Sequence, residues 1–261
     1  MLKYYNIEST KIACWINNSD FDKHQQSLIF IHGSGSDHSL WSHQYAKLHK
    51  HYNIVAVDLP GHGRSQGSGE TDVRAYCVWI SKLLDVLHLK NSIVIGHSLG
   101  AAITLQFALN YPQDIKGIVV VGGGLKMPVN PSLLELLKVN PEQAIELICK
   151  FSLARENRPK FFDALKKSLS GANINILYGD LTACNKLDLT GEIEKIAVPA
   201  LVICGVEDKM TPADFSRQIA ENIDGAKLCL IEDAGHMVMM ERPKEFNDAL
   251  NAFASSIAPR R

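Results

Sequence analysis

Six short apolar runs constrain this chain more than any other feature of its 261 residues. They are Leu28–Ile31, Ile54–Val57, Ser92–Ile95, Ile118–Val121, Ala200–Cys204 and Lys227–Ile231, most of them closed by glycine, proline or histidine. Runs that are apolar on both faces suit strands buried between two helical layers. The intervening stretches carry the helical period. Tyr76, Ile80, Leu83, Leu84 and Leu87 fall on one stripe, as do Phe246, Leu250, Phe253 and Ile257. Strands alternating with helices predict an α/β fold, a mostly parallel, doubly wound sheet with helices on both faces. The first twenty-odd residues are expected to add one or two antiparallel edge strands.

The rhythm breaks between residues 125 and 190, which hold no good strand. Helical stretches are expected at Ser132–Val139, Pro141–Ser152, Pro159–Ser170 and Ile174–Cys184, with Pro131, Pro141 and Pro159 at helix-start positions. The predicted organisation is a core of residues 1–124 and 191–261 carrying a helical cap at 125–190. The insertion is expected over the carboxyl edge of the sheet, where ligands bind in open α/β folds.

Apolar residues make up 46% of the chain and charged residues 21%, with a formal net charge of −1. That balance offers no basic face, so neither a nucleic-acid partner nor an electrostatic hold on a membrane is expected. No stretch approaches the roughly 18 apolar residues of a membrane span. The amino-terminal residues lack the apolar run of a signal peptide. Both point to a soluble, cytoplasmic protein. Cys14, Cys77, Cys149, Cys184, Cys204 and Cys229 have wide, irregular spacings. No pair matches a metal knuckle or a redox motif, so free and mostly buried thiols are expected.

The third apolar run ends in Gly96-His97-Ser98-Leu99-Gly100, and a helical stripe of Ala101, Ala102, Leu105, Ala108 and Leu109 follows. A strand-to-helix elbow puts a serine on a sharp, strained turn, and its flanking glycines let neighbouring backbone approach. Ser98 is the candidate nucleophile. The N-terminus of the helix leaves free N–H groups, so the N–H of Leu99 can hold a developing oxyanion. The loop after the first buried run, His32-Gly33-Ser34, offers the N–H of Ser34 as a second donor.

A serine hydroxyl needs a base and the base needs an orienting acid. His236 follows the last buried run and falls at the same sheet edge as Ser98. His97 is expected to point away from Ser98 and pack. The other seven histidines beyond the His32 turn lie in helices or polar turns and suit surface or structural roles. Asp208 follows the penultimate run in Gly205-Val206-Glu207-Asp208 and is preferred over its rival Glu207. Asp233 lies too close to His236 in sequence to reach round.

These residues resemble the α/β-hydrolase fold superfamily, in its serine carboxylesterase and lipase-like branch with a helical cap. The resemblance rests on His32-Gly33 with Trp41, Asp58-Leu59-Pro60-Gly61-His62-Gly63-Arg64-Ser65, Gly96–Gly100, Gly205–Asp208, and Gly235-His236 followed by Glu241-Arg242-Pro243. It spans residues 32 to 243. It implies a Ser98–His236–Asp208 triad, an oxyanion hole from Ser34 and Leu99, no cofactor and no metal. The Asp58–Ser65 loop is read as structural, and Gly122-Gly123-Gly124 as a flexible entry to the insertion.

Serine at the elbow, rather than aspartate, disfavours the dehalogenase and epoxide hydrolase branches. It favours acyl chemistry on a small-molecule ester through an acyl-enzyme. Carbon–carbon bond hydrolysis of ring-cleavage products, thioester hydrolysis and acyl transfer are the alternatives within this chemistry. A non-enzymatic binding module is the alternative outside it, and would not require all three triad members. Leu125, Met127, Phe151, Met210 and Met237 are the candidate substrate-binding residues and suggest an apolar acyl or alcohol group. The insertion has no basic cluster suited to a phosphate or coenzyme A tail.

Overall fold

The apolar runs become strands because their side chains find cover on both faces. A computed structural model describes residues 1–18 and 20–257. Strands β3 (Ser27–Ile31), β4 (Asn53–Val57), β5 (Ser92–His97), β6 (Ile115–Val121), β7 (Ala200–Gly205) and β8 (Lys227–Ile231) pair in parallel. The amino terminus supplies the expected antiparallel edge, β1 (Leu2–Ile7) and β2 (Thr10–Ile16). The order across the sheet is β1-β2-β4-β3-β5-β6-β7-β8. Lys227–Ile231 is more open than the other runs, because β8 ends the sheet and lacks one neighbour.

Within each central strand the side chains part by pleat. Leu28, Phe30, Ile93 and Ile95 join one core with helices α1 (Ser42–Leu48), α9 (Val238–Glu241) and α10 (Pro243–Ser256). Ile29, Ile31 and Val94 join the other, with α2 (Val73–Val86), α3 (Leu99–Asn110) and α8 (Ala213–Asn222). The helix α3 is buried from Leu99 to Ala108 on every side, as its mainly apolar sequence, with Thr104 and Gln106 as the polar exceptions, demands. Trp41 is fully buried between Phe30 and Phe246, with ring centroids 5.1 and 6.0 Å away. It anchors the short turn His38–Trp41 behind the loop that follows β3. Truncating such a ring to alanine costs about 3–5 kcal/mol.

Two features of this topology create a site. All the parallel strands release their loops at one carboxyl edge. The chain also changes direction at β3, whose neighbours are β4 on one side and β5 on the other. The loops after β3 and β5 therefore part, and a crevice opens where they separate.

Residues 131–186 form four helices, α4 (Pro131–Val139), α5 (Pro141–Ser152), α6 (Arg158–Ser170) and α7 (Ile174–Lys186). Asn130, Asn140 and Asn173 cap α4, α5 and α7 through their side-chain oxygens. These helices bury their own cluster around Leu137, Ile145, Leu165 and Leu177, which Met237 of the β8–α9 loop joins. The segment closes at a neck: Lys126 bridges Asp188, and Leu189 N–H donates to Leu125 C=O at 3.0 Å. All six cysteines are free, five of them buried. No helix among the described residues is long and apolar enough to cross a membrane.

Candidate active site

Ser98 sits at the turn between β5 and α3 with φ of 54° and ψ of −113°. That left-handed conformation is strained for a serine and lifts its side chain clear of the sheet. The glycines are demanded by contact. A Cβ on Gly96 would lie 1.9 Å from Gly100 O, and one on Gly100 would lie 2.3 Å from Ile31 O. The turn is pinned by Ser98 N–H, which donates to Val121 C=O at 2.9 Å.

The loops after β7 and β8 bring Asp208 to His236. Asp208 Oδ2 accepts from His236 Nδ1 at 2.8 Å, and both side chains are buried. The carboxylate also accepts from the N–H groups of Met210 and Thr211 and from the Thr211 hydroxyl. Burial works against its charge, but His236 and these donors win, and the carboxyl lies below its usual pKa. With Nδ1 committed to Asp208, the remaining nitrogen Nε2 of His236 is left for the cavity that also exposes Ser98. Among the described residues the Ser98 hydroxyl closes no hydrogen bond, a loose geometry common before substrate binds.

Neither rival acid reaches the imidazole. The carboxylate of Glu207 points toward Arg155 N–H at a long 3.5 Å, and Asp233 pairs with Arg242 at the surface. His97 lies under His236, ring centroids 4.5 Å apart, and donates through Nε2 to His236 C=O at 3.0 Å. Burial and the nearby His236 push its pKa well down, so it stays neutral.

On the other side of Ser98, the loop after β3 carries Ser34. His32 Nε2 accepts from Leu59 N–H at 3.0 Å, which leaves the proton on Nδ1 to donate to Gly33 C=O at 2.8 Å. That carbonyl shares a peptide plane with the N–H of Ser34, so the imidazole sets the direction of that N–H. Burial and the neighbouring His62 lower the His32 pKa to about 4, which keeps the ring in this neutral form. Leu99, the first residue of α3, has an N–H with no intrahelical acceptor. A serine, a histidine held by a carboxylate and two directed N–H groups can together perform nucleophilic acyl chemistry.

Two cavities meet at this point. One of about 210 Å³ is lined by Ser34, Ser98, His236, Met210 and Met237, with Leu165, Leu169 and Leu177 from the insertion. The other, about 400 Å³, is lined by Ser98, Met127, Leu133, Leu136, Phe151 and Met210. Four of the five residues expected against substrate therefore face a cavity. Leu125 does not. It packs on the large core cluster at the neck of the insertion.

Several contributors lie outside the predicted site residues, although Glu241 belongs to a motif that carries the resemblance. Thr211 bridges Asp208 and His236. Glu241, buried, accepts from Gly235 N–H and from Ala154 N–H and Asn157 across the insertion. Gly122, read as a flexible entry, is a close-approach position. Its φ is 57°, and a Cβ there would meet His236 Nδ1 at 3.0 Å. His43, placed among surface and structural histidines, lines the first cavity. One cluster among the described residues, Asp37, His38 and Asp58, gathers potential metal-ligand atoms. Those atoms are engaged: His38 Nδ1 donates to Asp58 at 2.7 Å, and Asp37 accepts from Ser39 N–H.

Residues 28–249 match the sequence model of the alpha/beta hydrolase family. The chain belongs to that family. Within this hydrolase family, the chain is 24% identical over 238 residues to an (E)-2-((N-methylformamido)methylene)succinate hydrolase of Acinetobacter baylyi. The match covers 87% of this chain and 90% of that one. It is 25% identical to a 2-hydroxy-6-oxononadienedioate/2-hydroxy-6-oxononatrienedioate hydrolase of Burkholderia vietnamiensis, covering 94% and 92% of the two chains. Among solved structures, a thermophilic esterase is 30% identical with a TM-score of 0.85, covering 99% of each chain. An enol-lactonase from Burkholderia xenovorans shares the fold, with a TM-score of 0.89 at 21% identity over 97% of this chain and all of that one.

Proposed function

We propose that the chain is a serine hydrolase that cleaves carboxylic esters of small to medium apolar substrates through an acyl-enzyme. One observation carries the reading. His236 is tied through Nδ1 to Asp208 at 2.8 Å, while the cavity it lines also exposes the strained Ser98. In this reading Ser98 Oγ attacks the ester carbonyl and His236 Nε2 takes its proton. Asp208 stabilises the imidazolium. The N–H groups of Ser34 and Leu99 hold the oxyanion of the tetrahedral intermediate. Its collapse expels the alcohol, which receives the proton from His236. Water, activated by the same imidazole, then releases the acid and regenerates Ser98. The helices of residues 125–190 act as a cap, and Met127, Phe151, Met210 and Met237 line the substrate site.

Carbon–carbon bond hydrolysis is the second reading, because a relative at 25% identity bears that kind of name. Its named substrate is a dioate, which carries two carboxylates. The cavities described above are mainly apolar; beyond His97 and His236 their basic lining groups are His43 and Lys209. That lining suits a neutral ester better. A panel of p-nitrophenyl esters of increasing acyl length, run beside an acyl thioester and a ring-cleavage diketone, decides between them. Ester hydrolysis with a preference for short to medium chains is expected. Hydrolysis of the diketone alone overturns the ester reading.

A further inference from the structure

Helix α7 turns an apolar stripe toward the core. Leu177, Leu181 and Cys184 lie on it, and Asp180 sits among them, fully buried. A buried carboxylate needs several donors to replace water. Asp180 has three, all from outside the insertion. Its Oδ2 accepts from Gly35 N–H at 2.9 Å and from His62 Nε2 at 2.8 Å, and its Oδ1 accepts from the Tyr76 hydroxyl at 2.6 Å. The two leucines that flank it line the first cavity.

The contact to Gly35 lies one residue past Ser34. Ser36 N–H closes the same turn on Gly33 C=O at 3.2 Å, and His32 Nδ1 grips that carbonyl from the other side. Gly33 C=O sets the direction of the Ser34 N–H. Asp180 therefore holds the turn from the insertion, through the N–H of the residue that follows Ser34. His62 extends the tie. Its Nδ1 faces Pro60 C=O at 3.1 Å and its Nε2 faces Asp180, so both nitrogens meet acceptors, which favours the doubly protonated ring. The ring also lies 4.9 Å from His32, centroid to centroid.

We propose that Asp180 is a positioning residue by which the insertion aims the oxyanion-binding N–H of Ser34. The inference rests on the ester-hydrolase reading. It makes the insertion part of the catalytic geometry as well as a wall of the pocket. A defect in aim weakens the transition state more than the bound substrate, so it appears in kcat rather than KM.

The test measures kcat and KM for p-nitrophenyl butyrate, and inhibition by phenylboronic acid, whose serine adduct places an oxygen in the oxyanion site. With Asp180→Ala, kcat falls about 10- to 100-fold, within the cost of losing one oxyanion donor, while KM changes less than about threefold. Boronate inhibition weakens in parallel with kcat. Asp180→Asn keeps an acceptor oxygen toward Gly35 and restores most of the loss, leaving kcat about three- to tenfold below wild type. That near-isosteric variant keeps the test decisive where the alanine variant does not fold. Wild-type kcat and boronate affinity in both variants overturn the proposal. So does a loss expressed in KM alone, which marks a damaged pocket wall. A wild-type protein that neither hydrolyses the ester nor reacts at Ser98 with a fluorophosphonate overturns the ester-hydrolase reading itself, and this inference with it.

Discussion

Among the described residues, two buried histidine–carboxylate pairs have the same 2.8 Å separation, His236–Asp208 and His62–Asp180. They differ in what the second ring nitrogen faces. In His62 it meets Pro60 C=O, an acceptor only, so both ring nitrogens face acceptors and the geometry favours the doubly protonated ring. Burial works against that charge, but Asp180, Pro60 and Asp58 outweigh it and raise the His62 pKa; His32 and Tyr76 complete its surroundings. In His236 only Nδ1 meets a side-chain partner among the described residues, and the residue lines a cavity shared with Ser98. One pair is saturated and can only hold structure. The other keeps a vacancy for a proton. The distance between imidazole and carboxylate does not separate a clamp from a base; the partner of the far nitrogen does.

Breaking the two pairs should therefore have unequal effects. Asp208→Asn is expected to lower ester kcat about 10⁴-fold with the fold intact, because the histidine loses its orienting acceptor. Asp180→Asn costs at most about tenfold, within the loss of one imperfect hydrogen bond. Steady-state kinetics on one ester compares them directly, and equal losses would erase the distinction. A smaller loss is expected from Gly122→Ala, whose Cβ meets His236 Nδ1 at 3.0 Å in a left-handed backbone. Urea denaturation should show about 1–2 kcal/mol of lost stability. A neutral result would return Gly122 to a merely flexible role.

The pairs should also respond to pH in opposite directions. Asp208 has a depressed carboxyl pKa, so its contribution is present above the ordinary carboxylate value and is lost as pH falls through the folded value. His62 has a raised pKa. Its contribution is full below 6.5 and is lost as pH rises through its folded value above 6.5. The stability gap between wild type and Asp208→Asn should shrink in acid, and that between wild type and His62→Gln in alkali. The finest distinction is spectroscopic. Nitrogen-15 NMR should find both His62 nitrogens protonated above pH 6.5 while His97 stays neutral. A neutral His62 below that pH would contradict the clamp.

Much of this arrangement could be read in advance, and the omissions have a common cause. The strands were legible because runs such as Ile54–Val57 are apolar on both faces, a local property. Ser98, Asp208 and His236 were legible because each follows such a run, which puts them at one sheet edge whatever the details. Leu125 lines neither described cavity, and helical spacing alone does not separate a pocket wall from a neck that packs on the core. Asp180 and Thr211 escape that logic, as does the bracing role of Glu241 beyond its place in a motif, because their partners lie on other segments: Gly35 and His62, His236, and Ala154. Asp180 did leave a trace, a charged residue at i+3 from Leu177 and i−4 from Cys184 on an apolar stripe. Polarity on the buried side of a helix requires donors from elsewhere.

If His236 activates Ser98 as proposed, the serine is reactive toward phosphonylating agents, and covalent labelling reads that reactivity. Intact-protein mass spectrometry after exposure to a fluorophosphonate should show one phosphonyl group, mapped by peptide analysis to Ser98. The adduct should be absent in Ser98→Ala, strongly slowed in Asp208→Asn and only mildly slowed in Asp180→Asn. A wild-type protein that stays unlabelled, or is labelled equally well after Asp208→Asn, would contradict the account.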